Sequence, residues 1–261
     1  MAHNKQTEWF DDTGFWEQYA PIMFDDAHWA EVPKVADGIT QLARLDQYSE
    51  NGRGQQRNPR ILDLCCGFGR ISAELARRGF AVTGVDITGT YLSAAQEDAA
   101  YENLEIEYIQ ADARNFSRPG FFDIAVNLYI SFGYFNDPQD DVSLVKNMYE
   151  SLGPGGVCII ETLGKEIVVR DFVEAEWFER AGRTVLTEYE AVDSWAMLKN
   201  RWILIHDSQR VEKTFTQRLY AASELRTLMY AAGFAAVEIY GDWDERRYDQ
   251  RAEKLIVVGR K

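Results

Sequence analysis

The chain has 261 residues with a hydrophobic fraction of 46% and a charged fraction of 27%, which are ordinary values for a globular protein. Its formal net charge of −14 disfavours nucleic acids and anionic membranes as partners, because binding to either usually needs a basic surface. Three cysteines make no disulfide framework, the N-terminus lacks the apolar core of a signal peptide, and no apolar run is long enough to span a membrane. We therefore expect a cytoplasmic protein.

The first fifty residues predict a helical lid. Residues 7–46 are rich in aromatic side chains, and the apolar positions between Val32 and Leu45 recur at helical spacing. The polar stretch 50–59, which ends in proline, predicts a loop that joins this lid to the rest of the chain.

From Arg60 onward, short apolar runs alternate with helical patterns. The expected strands are ILDLCC, AVTGVDI, IEYIQAD, FFDIAVNLYI and VCIIETL, and the expected helices include GFGRISAELARRG, TYLSAAQEDAA and residues 139–152. This alternation is typical of an α/β protein with a doubly wound, mostly parallel sheet that helices cover on both faces.

The alternation stops after Leu163. The segments 184–193, 195–207 and 211–220 predict strands without intervening helices, and hence an inserted antiparallel meander. A helix in ASELRTLMYAAG and strands in AAVEIYGD and KLIVVGRK then complete the core. We expect a single domain whose parts are a lid (1–50), a core (60–163 and 221–261) and an inserted antiparallel cap (164–220).

The segment DLCCGFGR, from Asp63 to Arg70, follows the first expected strand. Its small residues let the backbone turn tightly and approach a ligand, and the helix after it presents free N–H groups. The dinucleotide fingerprint G-x-G-x-x-G is not met, because Ser72 stands where its third glycine would be. A tight strand-to-helix turn without a ligand would give the same pattern.

Carboxylates end the next two expected strands. Asp86 could accept hydrogen bonds from both hydroxyls of a ribose, and Asp112 could recognise the exocyclic amine of an adenine. Either residue could instead cap a helix. Because ligands of open α/β sheets bind outside the carboxyl ends of the strands, the three motifs together favour a nucleoside-binding edge.

The segment from Asn127 to Phe135 follows the fourth expected strand and is rich in aromatic residues. Such residues could exclude water and stack on a substrate, although part of them could equally belong to the core.

In this order and spacing, DLCCGFG, VTGVDI and YIQADARNF, followed by FFDIAVNLY and LGPGGVCIIETL, resemble the class I S-adenosylmethionine-dependent methyltransferases. The resemblance spans residues 60–163 and 221–261, and Cys65 stands where that family most often has glycine. The segment SFGYF and the inserted region are similar to a bacterial branch that acts on small molecules. The resemblance implies a seven-stranded sheet with an antiparallel last strand.

The resemblance also implies the cofactor S-adenosylmethionine and its contacts. The backbone from Cys65 to Gly69 would lie beside the methionine part, Asp86 at the ribose, and Leu128 near the methyl group. An N-terminal aromatic residue, for which Tyr19 is the candidate, would close over the cofactor. The expected cofactor-binding residues are Tyr19, Asp63, Cys65, Gly67, Gly69, Arg70, Asp86, Ile87, Asp112, Ala113 and Leu128.

Methyl transfer from a sulfonium is an in-line displacement, so the protein mainly aligns the reactants and excludes water. A hydroxyl acceptor also needs a base. The candidates for catalysis are His206, Tyr129 and His28, and those for acceptor binding are Phe132, Tyr134, Trp177 and Arg218. No metal site is expected, because Cys65 and Cys66 are adjacent rather than in a C-x-x-C spacing.

The sequence therefore predicts a methyltransferase that acts on an oxygen or nitrogen atom of a small molecule, as a monomer or homodimer. The alternatives are an NAD-dependent oxidoreductase on a similar fold, a methyltransferase acting on a protein or RNA, and a binding module without turnover. A further hypothesis is that the lid and the insertion together form the substrate chamber. It rests on their tryptophans: Trp9, Trp16, Trp29, Trp177, Trp195 and Trp202.

Overall fold

The computed structural model describes residues 8–45 and 58–261. Most of the loop expected at 50–59 therefore lies outside the described residues. Among the described residues, no helix has the length and apolar character needed to cross a membrane.

The core is a seven-stranded sheet with the order β10-β11-β5-β4-β1-β2-β3. All its strands run parallel except β11, which is antiparallel to both of its neighbours. The expected topology, with an antiparallel last strand, is thus confirmed. The strands are β1 Arg60–Leu64, β2 Ala81–Asp86, β3 Ile106–Gln110, β4 Phe122–Asn127, β5 Leu152–Thr162, β10 Ala236–Tyr240 and β11 Leu255–Arg260.

Helices cover both faces of this sheet. They are α3 Val32–Leu42, α4 Arg70–Arg77, α5 Gly89–Tyr101, α6 Pro138–Ser151 and α8 Ala222–Ala232. The side chains of β1 alternate between the two faces: Ile61 packs in the cluster of α3 and α4, and Leu62 and Leu64 in the cluster of α6 and α8. Strands buried on both faces need apolar residues at nearly every position, which is why Ile61, Leu62 and Leu64 occupy β1 with Asp63 as the exception.

The insertion after β5 is a short helix, α7 Lys165–Arg170, followed by a separate antiparallel sheet of four strands. We call this sheet the cap sheet; its strands are β6 Ala175–Arg180, β7 Arg183–Val192, β8 Met197–His206 and β9 Gln209–Arg218. Three strands were expected, and β6 was missed. It is an edge strand whose residues are mostly exposed, so its sequence carries too little apolar alternation to be recognised.

The N-terminal helix α1 Thr13–Met23 lies against the cap sheet, the short helix α2 Asp26–Ala30 follows it, and α3 belongs to the core. Phe15, Tyr19 and Ile22 of α1 form a buried cluster with residues of the cap sheet. The Tyr19 hydroxyl donates to the carbonyl of Trp202 at 2.9 Å, and the Lys213 ammonium lies 2.6 Å from the Asp12 carboxylate. Apolar packing and polar contacts thus join the lid to the cap.

Candidate functional site

A cavity of about 930 Å³ lies between the carboxyl ends of the core strands, the lid and the cap sheet. Its lining includes Asp63, Asp86 and Leu128 from the core, Trp16 from α1, and Trp202 from the cap sheet. The cavity is therefore bounded by three parts of the chain that are distant in sequence.

The loop after β1 forms part of this lining. Cys65, Gly67 and Gly69 have φ angles of +65°, +55° and +68°, so the backbone is left-handed at every second position. A side chain at Gly67 would lie 3.2 Å from the Phe24 ring. The left-handed backbone at Cys65 gives a physical reason why glycine would be favoured there.

Asp86 connects this loop to the one that follows β2. Its Oδ2 accepts from the backbone N–H of Gly67 at 2.8 Å, and its Oδ1 accepts from the N–H of Thr88 at 2.8 Å. Burial raises the pKa of the Asp86 carboxyl, although these hydrogen bonds oppose the shift. Asp86 also lies in the cavity lining, so a ligand in the cavity can contact it.

Asp63, at the end of β1, lies almost fully buried beneath the same loop. It accepts from the Ser72 hydroxyl at 2.6 Å. Burial raises the pKa of Asp63 to about 6, and the neighbouring Asp86 charge adds to the shift, although the Ser72 hydrogen bond opposes it. This part of the cavity thus carries two buried carboxylates and favours a ligand with positive charge or hydrogen-bond donors.

Ile87, Asp112 and Ala113 line the cavity beyond β2 and β3. The Asp112 carboxylate is held by Arg114, whose guanidinium approaches it to 2.7 Å and also contacts Asp140 at 3.0 Å. The expected carboxylates after the first three strands therefore lie along one edge of the sheet.

The loop after β4 is left-handed at two successive non-glycine residues, Tyr129 with φ +54° and Ile130 with φ +64°. Glu161, at the end of β5, accepts from the N–H of Tyr129 at 2.6 Å and so holds this uncommon turn. The Arg70 guanidinium lies 4.4 Å from the centroid of the Tyr129 ring. The Tyr129 hydroxyl is buried and has no hydrogen-bond partner among the residues that the structure describes.

His28 lies where the lid, the core and the cap meet. Its Nδ1 is 2.5 Å from Asp25 Oδ1, and Asp25 Oδ2 is 3.2 Å from Arg180 of β6. The Arg70 guanidinium donates to the His28 carbonyl at 2.7 Å. Burial raises the pKa of Asp25, but its hydrogen bonds with His28 outweigh this effect and hold the pKa below its ordinary value.

A carboxylate can only accept, so the Nδ1 of His28 carries the proton in this pair. In the neutral ring Nε2 is then an acceptor, which is the state that a general base needs. His28 lines the cavity, as do the candidates Tyr129 and Tyr134.

Several expected site residues lie outside the cavity lining. Tyr19 is fully buried between α1 and the cap sheet. A side chain at Gly69 would meet the Tyr108 hydroxyl, so the space beside Gly69 is occupied by the protein itself. Phe132 is a core residue whose ring lies 5.2 Å from that of Tyr220.

The other residues outside the lining belong to the cap sheet. Trp177 pairs with Leu186 on the outer face and is 69% exposed, because the neighbouring Phe178 takes the inner face. His206 is the last residue of β8 and its side chain is 46% exposed. Arg218 lies against the buried Asp141, 3.7 Å from its carboxylate.

Other residues of the lining were not anticipated. Glu161 is buried in the lining and lies 3.5 Å from Lys254, which also lines the cavity. Glu161 ends a strand in the same way as Asp63 and Asp86, so the signal used for those residues would have found it. Asp25 and Arg180 gave no such signal, because their pairing depends on how the lid meets the cap.

Comparison with known proteins agrees with this geometry. The family profile described as a methyltransferase domain matches residues 61–156, which contain the loops after β1 to β4. A putative methyltransferase of Bacillus subtilis is 24% identical over 87% of this chain and 94% of its own length. The ubiquinone biosynthesis O-methyltransferase of a Caulobacter species is 31% identical, over 61% of this chain and 60% of that enzyme.

Solved structures share the fold over most of the chain. An S-adenosylmethionine-dependent methyltransferase from Clostridium acetobutylicum superposes with a TM-score of 0.73 at 16% identity, covering 95% of this chain and 97% of the other. The sugar N-methyltransferase KedS8 from a Streptoalloteichus species gives a TM-score of 0.63 at 19% identity, covering 100% and 96%.

Residues 61–156 of this chain form a methyltransferase domain, and the fold is shared with S-adenosylmethionine-dependent methyltransferases of known structure. One structural neighbour, an amino pentose methyltransferase from Micromonospora echinaspora with a TM-score of 0.65 at 19% identity, contains bound S-adenosylmethionine. The NAD-dependent oxidoreductase alternative accordingly loses its support, since it depended on the glycine-containing turn and Asp86 alone.

The position of Tyr19 in this methyltransferase leads to a first prediction. Tyr19→Phe removes the donor to the Trp202 carbonyl, and should lower the free energy of unfolding by about 1 kcal/mol. The dissociation constant for S-adenosylmethionine should stay within twofold of the wild-type value, because the hydroxyl lies outside the cavity. Chemical denaturation and calorimetric titration measure the two quantities. Unchanged stability with tenfold weaker cofactor binding would contradict this assignment.

Proposed function

We propose that this enzyme transfers a methyl group to an oxygen or nitrogen atom of a small molecule held between the core, the lid and the cap sheet. The supporting observation is the cavity itself. One part is lined by the carboxylates of the strand ends, and another by aromatic and polar side chains of the lid and cap. Two ligands, a cofactor and an acceptor, can therefore lie next to each other.

The residues at the strand ends fit the cofactor. Asp86 lies in the cavity lining and would accept from the ribose hydroxyls, and Asp112 with Ala113 would lie at the adenine. The left-handed backbone between Cys65 and Gly69 allows close approach of the methionine part. These assignments follow the family resemblance and are consistent with the hydrogen bonds of the loops.

When bound, S-adenosylmethionine supplies a methyl group on a positively charged sulfur that leaves as a neutral thioether. The protein must hold the acceptor in line with that bond and keep water away. Trp9, Trp16 and Phe15 of the lid contribute large apolar surfaces to the cavity, and Trp202 and Phe215 do so from the cap. The lid and the cap would thus provide alignment and exclusion together.

A hydroxyl acceptor must also lose its proton, and we assign this role to His28. Asp25 fixes the protonated nitrogen of the ring and is ionised at neutral pH. Asp25 acts as a positioning residue, and Arg180 restrains it from the cap side.

The names of similar proteins support a small acceptor. One relative is a ubiquinone biosynthesis O-methyltransferase, and two structural neighbours are a sugar N-methyltransferase and an amino pentose methyltransferase. They include both O- and N-methylation, so the choice between these atoms stays open. The charge of −14 disfavours an RNA acceptor. A protein or RNA acceptor would also have to insert its target group between the lid and the cap.

The cofactor assignment predicts a binding pattern. In calorimetric titrations S-adenosylmethionine and S-adenosylhomocysteine should bind the wild-type protein, and Asp86→Ala should weaken both at least tenfold. Asp98→Ala, which changes an exposed carboxylate of α5, is the matched control and should bind as wild type does. Because Asp86 also holds two loops, Asp86→Asn, which keeps one acceptor oxygen, should bind with intermediate affinity. Binding of NAD alone would overturn the proposal.

The base assignment predicts a loss of turnover without a loss of cofactor. With a hydroxyl acceptor found by screening, His28→Gln should lower kcat roughly 100-fold or more, and abolish the rise in kcat with pH that an unprotonated base produces. Asp25→Asn should lower kcat less, since the imidazole remains present.

The matched control is His206→Gln, which changes an exposed histidine outside the cavity. Its kcat should equal that of wild type. The base assignment fails if His28→Gln keeps the wild-type rate and pH profile.

A further inference from the structure

The inner face of the cap sheet is a mixed polar and aromatic surface. Residues that pair across antiparallel strands present their side chains on the same face. Thr187 pairs with Trp202, and Tyr189 pairs with Asn200. All four line the cavity, so this face lies opposite the strand ends that we assign to the cofactor.

This face carries buried polar atoms without protein partners. Thr187 Oγ1 and Trp202 Nε1 are both buried and form no hydrogen bond with the described protein. The same is true of Trp9 Nε1 from the lid and the Tyr129 hydroxyl from the core. A buried polar group without a partner destabilises the folded protein, and all four side chains belong to the cavity lining. A ligand that supplied their partners would remove this destabilisation.

The chemistry of these atoms restricts the ligand. An indole N–H can only donate, so the two tryptophans require oxygen or nitrogen acceptors, while the hydroxyl of Thr187 can donate or accept. Trp9 stacks on Phe215 with 4.5 Å between ring centroids, and Trp202 meets Phe215 edge-on at 5.4 Å. Apolar ring faces beside hydrogen-bond donors suit a ring that carries several oxygen substituents.

The charges of the lining disfavour an anion. Arg180 is paired with Asp25 at 3.2 Å, Lys254 is paired with Glu161 at 3.5 Å, and the Arg70 guanidinium donates to the His28 carbonyl at 2.7 Å. Further carboxylates of the lining are Glu31, Asp171 and Glu176. A carboxylate or phosphate on the acceptor would meet repulsion here and would compete for cations that already have partners.

We infer that the acceptor is a ring compound that carries hydroxyl groups and no negative charge, and that Thr187 and Trp202 select it by hydrogen bonds to its oxygens. This inference rests on the proposed function, because it assumes that the strand ends hold the cofactor. Hydroxylated aromatic rings and neutral sugars share this chemistry.

The test uses the full chain saturated with S-adenosylhomocysteine, with probe binding followed by ligand-observed NMR titration. The neutral probes are catechol and methyl α-D-glucopyranoside; the matched anions are 3,4-dihydroxybenzoate and methyl α-D-glucuronide. At least one neutral probe should bind in the millimolar range, and its anionic counterpart at least tenfold more weakly. The probe that binds shows whether the source is aromatic or a sugar.

Two variants connect the binding to the named atoms. Thr187→Val and Trp202→Phe remove the unpaired groups and should weaken the neutral probe at least fivefold. Thr187→Val should be as stable as wild type or more so, since it replaces an unpaired hydroxyl with a methyl group. Trp243→Phe is the matched control: its indole N–H is also buried and unpaired, but it lies in the core, and probe binding should not change.

The inference is overturned if no neutral probe binds, if the anions bind as tightly, or if Thr187→Val and Trp202→Phe bind the probe as wild type does. Failure of S-adenosylhomocysteine to bind would instead refute the proposed function. The two failures are therefore distinguishable.

Discussion

The two hydrogen bonds accepted by Asp86 hold the site together. They tie the loop after β1, through Gly67, to the loop after β2, through Thr88, so that both loops keep a fixed distance from the sheet edge. The carboxylate is buried, and an unpaired charge at this position would be costly, so the backbone N–H groups and the carboxylate stabilise each other. Residues of both loops line the cavity beside the strand ends.

The opposite side of the cavity depends on contacts between the lid and the cap. The buried cluster around Phe15 and Tyr19 fixes α1 on the cap sheet, and the contacts from Asp25 to His28 and Arg180 extend this junction to the cavity. His28 is therefore held by the lid and, through Asp25, by the cap. The base that we propose at His28 would be correctly oriented only when the lid and the cap are both in contact with the core.

The core could be predicted from the sequence because its signals are local. Short apolar runs, glycine-rich turns and carboxylates at strand ends follow directly from a parallel sheet that is buried on both faces. The cap was harder, because the face on which a residue lies depends on strand register. Trp177 was expected at the site, yet a shift of one position places Phe178 on the inner face instead. Leu198 and Trp202 of β8 line the cavity, but the catalytic candidate His206 lies at the exposed end of the same strand.

Contacts between segments that are distant along the chain could not be predicted from the sequence. Nothing in the sequence near Asp25 or Arg180 indicates that the two residues meet. The sequence around Tyr19 is equally compatible with a ring that closes over a cofactor and with a ring that packs on a sheet. Only the tertiary structure distinguishes these cases.

The central claim is that the cofactor lies at the strand ends with its reactive group facing the cap sheet. A crystal structure of the complex with S-adenosylhomocysteine tests this claim most directly. The account predicts both ribose hydroxyls within hydrogen-bond distance of Asp86, and the sulfur on the side of the cavity lined by Tyr129 and the cap sheet. A nucleoside bound away from Asp86, or a sulfur turned away from the cap sheet, would contradict it.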